Sequence, residues 1–359
     1  MKVGIVGAGS IAFGMAAFLE REGHAATLWS PSGERTKALS TGEPLVAAGA
    51  IEGTFRPAVA SSGEALVAGA EVILIALPAY GHKHVFDRIA PHITPAQTVI
   101  VSSHASFGAL YLSRLLAARR IVVPIIAWGT TLVSGRQTGP AKVQVNTVRQ
   151  SVDLATVPAA RSLEGLATCQ SLFGDRFVDR QSLLAIALSN LNPTVHMGIA
   201  LGNMTRMERG ETWGQAENVT PNVGRLLEEL DRERLAIATA LGLEVRTIFQ
   251  HVHLSFGVPL GSASEMHQAM HAIGKGGTGP TTADSRYVTE DVPFGLVPTA
   301  KLGRLAGHPA PLHEAGVGIF SAMYGRDFSA ENDLLAALDT EVISLSQLQT
   351  LCRDGYPSV

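Results

Sequence analysis

MKVGIVGAGSIAFG, residues 1–14, decides the fold. Val3, Ile5 and Val6 make an apolar run long enough for a buried strand and too short for a helix. Gly7, Ala8 and Gly9 then turn the chain into a helical pattern that opens at Ser10 and Ile11. Gly7 permits the tight turn, Gly9 lets the backbone come close to a pyrophosphate, and Ala12 is small where helix and strand must pack. A helix starting there aims unpaired N–H groups and the positive end of its dipole at a bound anion. Glycine-rich turns are common, but this one follows a strand, opens a helix and sits at the first strand of the chain. It predicts a dinucleotide site.

Residues 10–22 read as the first helix and residues 25–29 as the second strand. In this architecture the residue that ends the second strand meets the adenosine ribose, where an acid accepts the 2′-hydroxyl and repels a 2′-phosphate. Here the position holds Ser30, with Ser32 and Arg35 close behind. Two hydroxyls and a guanidinium suit a 2′-phosphate, so NADP is expected ahead of NAD. Glu34 argues the other way, and Arg35 on a solvated helix is the bland alternative.

Residues 71–77 (EVILIAL) form the clearest buried parallel strand; Leu77 and Pro78 end it where cofactors bind, and both count as cofactor contacts. Further strands are expected at 98–102 and 121–127, giving a parallel sheet with crossover helices. Residues 142–148 and 152–157 are β-rich with no room for a helix between them, and read as an antiparallel extension of that sheet. From about residue 181 the pattern changes to long helices, at 183–209 with an interruption at Pro193, at 222–241, and near 311–324 and 342–353. Residues 274–284 (GKGGTGPTTAD) are long and glycine-rich enough for a binding loop. The expected organisation is a Rossmann-type α/β domain over 1–180 and an all-α domain over 181–359, with the active site in the cleft between.

With 359 residues the chain suits two cores, and its net charge of −3 gives no pull toward nucleic acid or an anionic membrane. The apolar runs are short for a bilayer span, no leader precedes Val3, and the two cysteines show no metal-ligand spacing. A cytoplasmic enzyme without a metal is the expectation, and a homodimer its assembly.

Reducing a carbonyl or imine needs a proton donor at the reacting atom, and histidine is suited to it near neutral pH. Of twelve histidines, His196 stands in SNLNPTVH where the helical half begins, among polar residues unusual for a helix interior. A packed helix residue is the alternative. His82, His84 and His104 lie on loops of the first half and read as solvent-facing. His251, His253, His267 and His271 have no carboxylate completing a metal pattern. The segment 284–295, DSRYVTEDVPFG, puts Arg286 and Tyr287 beside Asp291 between apolar helical stretches.

Over nearly its whole length the chain resembles the opine dehydrogenases, the NAD/NADP octopine/nopaline type, and especially the bacterial branch making N-(1-carboxyalkyl) amino acids. The resemblance rests on the glycine fingerprint, residues 190–196, the helix over 220–237, and RYVTEDVPFGLVPTAKLG over 286–303. It implies that an amino acid and a 2-keto acid condense to an imine, which NAD(P)H reduces to a secondary amine dicarboxylate. It also implies that His196 is the acid/base, Asp291 its partner and Arg286 a carboxylate anchor, with Tyr287 and Asn192 counted as further substrate contacts. Ser30 departs from the acid found in bacterial relatives. Ketopantoate reductase and glycerol-3-phosphate dehydrogenase share the two-domain plan but use a central lysine. The six lysines here (Lys2, Lys37, Lys83, Lys142, Lys275, Lys301) leave the first long helix of the second half without one. A non-catalytic dinucleotide sensor is the remaining alternative.

Overall fold

The computed structural model describes residues 1–340 and 342–358. By packing, the chain divides into one unit of Met1–Ala187 with Ala337–Val359, and a second of Leu188–Ala336.

The first unit opens with β1 (Lys2–Val6), α1 (Ser10–Arg21), β2 (Ala25–Trp29), the short α2 (Lys37–Ser40), β3 (Leu45–Gly49), β4 (Gly53–Phe55) and β5 (Ala58–Val59). It continues with α3 (Gly63–Ala68), β6 (Val72–Ile75), α4 (His82–Ile89), β7 (Thr98–Val101), α5 (Gly108–Ala117) and β8 (Ile125–Trp128). Then come β9 (Val133–Gly139), β10 (Lys142–Val148), β11 (Val152–Val157), α6 (Ser162–Phe173) and β12 (Phe177–Asp179). Eight strands make one sheet in the order β12-β11-β8-β7-β6-β1-β2-β5. All its pairs are parallel except β11 on β8. The order reverses between β1 and β6, the switch point at which α/β sheets bind nucleotides beyond the strand ends. β1, β6, β7 and β8 are almost wholly buried, which is why they read as continuous apolar runs rather than as alternation.

The expected antiparallel extension is half right. β11 does join the main sheet beside β8, with Leu154 opposite Trp128. β10 does not: it belongs to a separate four-stranded sheet, β4-β3-β10-β9, where it runs parallel to β3 and antiparallel to β9. This second sheet packs on α1, where Gly14 lets Val133 and Val145 come close. The chain's last segment also returns to this unit, instead of joining the helical domain as expected. Arg114 pairs with Asp339 at 3.0 Å, and the Tyr356 amide donates to Ser113 Oγ at 3.0 Å. The final helix begins at Leu345, capped by Ser344, not at residue 342.

His82 and His104 overturn their reading as solvent-facing side chains: they are 0% and 1% exposed. Ser103, Ser106 and Phe107 all have φ near +50 to +64°, and this rare backbone folds the loop after β7 so that His104 points inward. His82 Nε2–H donates to the Leu77 carbonyl at 3.0 Å. Burial pushes His82 down to about 4 and His104, which also feels His82, to about 3, so both rings are neutral at neutral pH.

α7 (Leu183–Ser189), most of which belongs to the first unit, leads into the helical second unit: α8 (Asn192–Glu208), α9 (Pro221–Ala240), α10 (Ile248–Phe256), α11 (Ala263–Ala272) and α12 (Arg286–Thr289). A π turn at Val292–Leu296 runs into α13 (Val297–Leu305), followed by α14 (Pro311–Tyr324) and α15 (Asp333–Ala337); α16 (Leu345–Asp354) is the final helix described above. The expected helix over 183–209 is thus two helices. Pro193 sits in the first turn of α8, where its missing N–H costs nothing. By length and composition Leu183–Glu208 could cross a bilayer, yet 67% of its most apolar stretch is buried within the protein. The pairs α8–α9 and α9–α11 close the core through glycines: a Cβ on Gly198 would meet Leu227 at 2.4 Å, and one on Gly224 would meet the Ser264 backbone at 2.8 Å.

Candidate active site

The nucleotide turn is built as its sequence demands. Gly7 has φ +135°, and a Cβ there would stand 2.3 Å from the Ala76 carbonyl oxygen. No other residue fits. Its N–H donates to the Trp29 carbonyl at 2.8 Å, tying β1 to β2 at the turn. Gly9 caps α1 in extended conformation, so the amides of Ser10, Ile11 and Ala12 open the helix without intrahelical acceptors. Gln137 Nε2, from the second sheet, donates to the Ala8 carbonyl at 3.2 Å and braces the turn. Leu77 and Pro78 follow β6 at the same end of the sheet, across the switch point.

Arg35 adds a contact that spacing alone does not show. Its Nη1 lies 4.0 Å from the position a Gly9 Cβ would take, so the guanidinium hangs beside the glycine turn. Ser32 and Arg35 are exposed and Ser30 is half-buried. Ser30 holds the loop through its carbonyl, which accepts from the Gly33 amide at 3.0 Å.

In the second unit, the Asn190 side-chain oxygen accepts from the Asn192 amide at 3.1 Å, fixing the entry to α8. Asn192 itself is exposed at the helix start. His196 follows one turn later. Its Nδ1–H donates to Asp291 Oδ2 at 2.7 Å, with the two side chains 18% and 15% exposed. A carboxylate can only accept here, so Nε2 is left as the ring atom able to exchange a proton.

The partner comes from 286–291, where two i, i+4 pairs interleave. Tyr287 and Asp291 share one face and both turn to His196. The Tyr287 ring lies flat on the imidazole, with centroids 3.6 Å apart and planes 8° from parallel. Arg286 and Glu290 share the adjacent face and form an ion pair; Arg286 is 65% exposed and Glu290 11%. Burial, and then the negative charge of Asp291, push the Tyr287 phenol up, so it stays a phenol and donates to Gln215 Oε1 at 2.9 Å. Ser285 caps α12 by accepting from the Tyr287 amide. After Asp291 the backbone widens into the π turn, a feature that recurs at functional sites. Gly295 on that turn lies against Pro193, where a Cβ would be 2.2 Å from Pro193 Cγ.

The structure therefore brings together His196, Asp291 and Tyr287, with Arg286 alongside through Glu290. Gln215 and the seat of Gly295 on Pro193 were not foreseen, and nothing local marks Gln215. Glu290 stands at i, i+4 from Arg286, and its pairing with Arg286 is the structural alternative to a carboxylate anchor there. The glycine-rich loop is a loop as expected, yet it is pinned. Gly214 and Thr278 form a β-bridge, and the Gln215 and Ala216 amides donate to the Gly277 and Gly276 carbonyls at 3.1 Å. Among the described residues no cluster of three or more metal-ligating side chains occurs.

Comparison with known proteins matches this division. Residues 179–324 match the NAD/NADP octopine/nopaline dehydrogenase alpha-helical domain, and residues 3–158 match the ketopantoate reductase PanE/ApbA model. An opine dehydrogenase of Arthrobacter sp. (strain 1C) is 32% identical over 340 residues, covering 93% of this chain and 94% of that protein. A solved octopine dehydrogenase with NADH and L-arginine superposes with a TM-score of 0.79 at 17% identity, covering 99% of both chains. Yersinopine dehydrogenase with NADP+ bound gives 0.71 at 16%, over 95% of this chain and 99% of the other. α7, α8 and α9 carry no lysine. The chain belongs to the opine dehydrogenase family, NAD(P)-dependent oxidoreductases with a Rossmann-type domain followed by a helical one.

Proposed function

We propose that this enzyme reductively joins an amino acid to a small 2-keto acid such as pyruvate, with NADPH preferred over NADH, and that His196 and Asp291 are its acid/base pair. The observation that carries this is the His196–Asp291 hydrogen bond, which leaves one ring nitrogen to exchange protons. The amino group and the keto carbonyl lose water to form an imine. A nicotinamide cofactor held at the glycine turn of Gly7–Ala12 would supply the hydride for the imine carbon. His196 Nε2 supplies the proton that leaves a secondary amine, and takes it back in the reverse oxidation. Asp291 holds the ring in the Nδ1–H form and offsets the imidazolium charge, which would otherwise sit unfavourably near the start of α8. A matrix of amino acids against 2-keto acids, followed by NADPH and NADH oxidation, tests the reading; a lack of turnover with every pair overturns it in favour of a dinucleotide-sensing protein.

The cofactor preference rests on Arg35 beside the glycine turn and on the lack of an acid at Ser30. A charge-assisted contact contributes about 1.5–3 kcal/mol, so NADPH is expected to be used at least about tenfold better than NADH. Ser30→Asp reverses that preference, and Arg35→Ala abolishes it. Equal kcat/KM for the two cofactors in the unaltered protein rules this out.

Arg286 is assigned the keto-acid carboxylate, since a guanidinium can hold a carboxylate through two parallel N–H bonds. Its exposed head pairs with the buried Glu290. Arg286→Lys keeps the charge but loses the fork, and should raise the KM for the keto acid at least about tenfold, the lower end of the roughly 1.5–3 kcal/mol of one charge-assisted bond, with Tm nearly unchanged. A pure brace predicts the opposite, a lower Tm and equal losses toward both substrates. Asn192, exposed at the start of the same helix as His196, is kept as a second substrate contact. Cys169 and Cys352 are buried free thiols, which supports a reducing, cytoplasmic setting. A homodimer is the assembly we expect, to be checked by sedimentation.

A further inference from the structure

Tyr287 has its hydroxyl committed to Gln215 and one ring face covered by His196, so a direct contact with substrate is not the role its surroundings describe. We propose that Tyr287, with Gln215 behind it, is a positioning residue: its ring is the wall against which His196 is held in the one orientation that leaves Nε2 free.

Three observations support this. The first is geometric. A single hydrogen bond from Nδ1 to Asp291 leaves the imidazole free to swing about that bond. A flat contact at 3.6 Å over the whole ring removes the swing. The second is the chain of support behind the ring. Tyr287 Oη donates to Gln215 Oε1 at 2.9 Å. Gln215 is itself fixed, because its amide and that of Ala216 bond the Gly277 and Gly276 carbonyls, while Trp213 Nε1 donates to the Pro280 carbonyl at 2.9 Å. Gly279 lies so close to the Trp213 ring that a Cβ would meet it at 2.2 Å. The glycine-rich loop 274–284 thus packs as a brace against the segment that carries Gln215, and its glycines are what that close approach requires. The third is electronic. The face of a tyrosine is electron-rich, so it suits the imidazolium that forms in turnover. Other groups bearing on the pair are Asp291, and Arg286 with Glu290 on the adjacent face. The sides that α9 and α14 present to α8 are apolar or small: Val223, Leu226 and Leu227 from one, Gly316 against Met197 from the other.

The inference rests on the acid/base reading of His196, and its test is chosen to work without any substrate. In protein labelled with 15N-histidine, with the His196 resonances identified by their loss in His196→Gln, the wild type should show one sharp Nδ1–H tautomer. Tyr287→Leu should broaden or average that signal, and lower kcat by about tenfold through misplacement of the ring, with the KM for cofactor unchanged. Tyr287→Phe keeps the wall but loses the bond to Gln215, and Gln215→Leu loses the same bond from the other side. Each should cost about threefold in kcat, the loss of one ordinary hydrogen bond. If Tyr287→Leu does not fold, the Phe and Gln215→Leu variants decide the matter by the same two readouts. A sharp single tautomer and wild-type kcat in the variants that fold overturn the proposal. An altered NMR signal with no turnover of any substrate pair in the wild type leaves the positioning role standing and removes the opine reading alone.

Discussion

His196→Gln should lower kcat by roughly 10²–10⁴, the range removed with a positioned general acid, while leaving nucleotide affinity where it was. Glutamine fills much of the imidazole's space and can still donate to Asp291, so the fold of α8 has little reason to change. It cannot pass a proton at the far end. The residues proposed to hold the nucleotide, from Gly7 to Ala12 with Ser30 and Arg35, all belong to the first unit, whereas His196 belongs to the second. Cofactor titration by quenching of protein fluorescence should therefore overlay for the two proteins, while single-turnover rates separate them. Near-normal turnover in the variant would place the proton donor elsewhere. His104 is not a ready substitute, because its ring is buried and held neutral in the loop after β7.

This division explains which parts were legible in the sequence. The glycine turn, the buried parallel strands and the change to helices are local statements: each depends on residues within a dozen positions, and each is found, with shifts at the element ends. The interleaved pairs of 286–291 are local too, which is why Arg286, Tyr287 and Asp291 could be singled out together. What could not be read depends on pairing at long range. Whether β10 joins β8 or β3 is a choice between two sheets, and nothing in KVQVNTV records it; packing of β3, β9 and β10 over α1 decides it. Gln215 reaches Tyr287 across 72 positions, and an exposed polar loop is what its neighbours suggest. His104 misled for a physical reason. Loop histidines ordinarily face water, but three non-glycine residues with positive φ turn this one into the interior. The strain of such a backbone, of order 1–3 kcal/mol per residue, falls in the loop that follows a strand of the nucleotide-binding sheet.

Gly295→Ala should sharply lower activity although it touches no chemical group. The methyl would sit 2.2 Å from Pro193 Cγ and 2.5 Å from Pro193 Cβ. Those atoms belong to a ring fused to the backbone in the first turn of α8, so no rotamer can clear them. The π turn must instead move away from α8. Asp291 immediately precedes that turn and His196 lies one turn into α8, so the 2.7 Å bond between them is what the movement stretches. Overpacking of this kind costs about 1–3 kcal/mol, which lowers Tm, and a displacement near 1 Å at the pair costs on the order of 10²-fold in kcat. Gly316→Ala is the control. Its methyl meets Met197 Cε at 2.3 Å and Sδ at 2.5 Å, as tight on paper, but these atoms end a flexible side chain that can turn aside. Activity should survive there with a modest loss of stability. Equal kcat values for the two variants would mean that the seat of the π turn on Pro193 does not set the His196–Asp291 geometry.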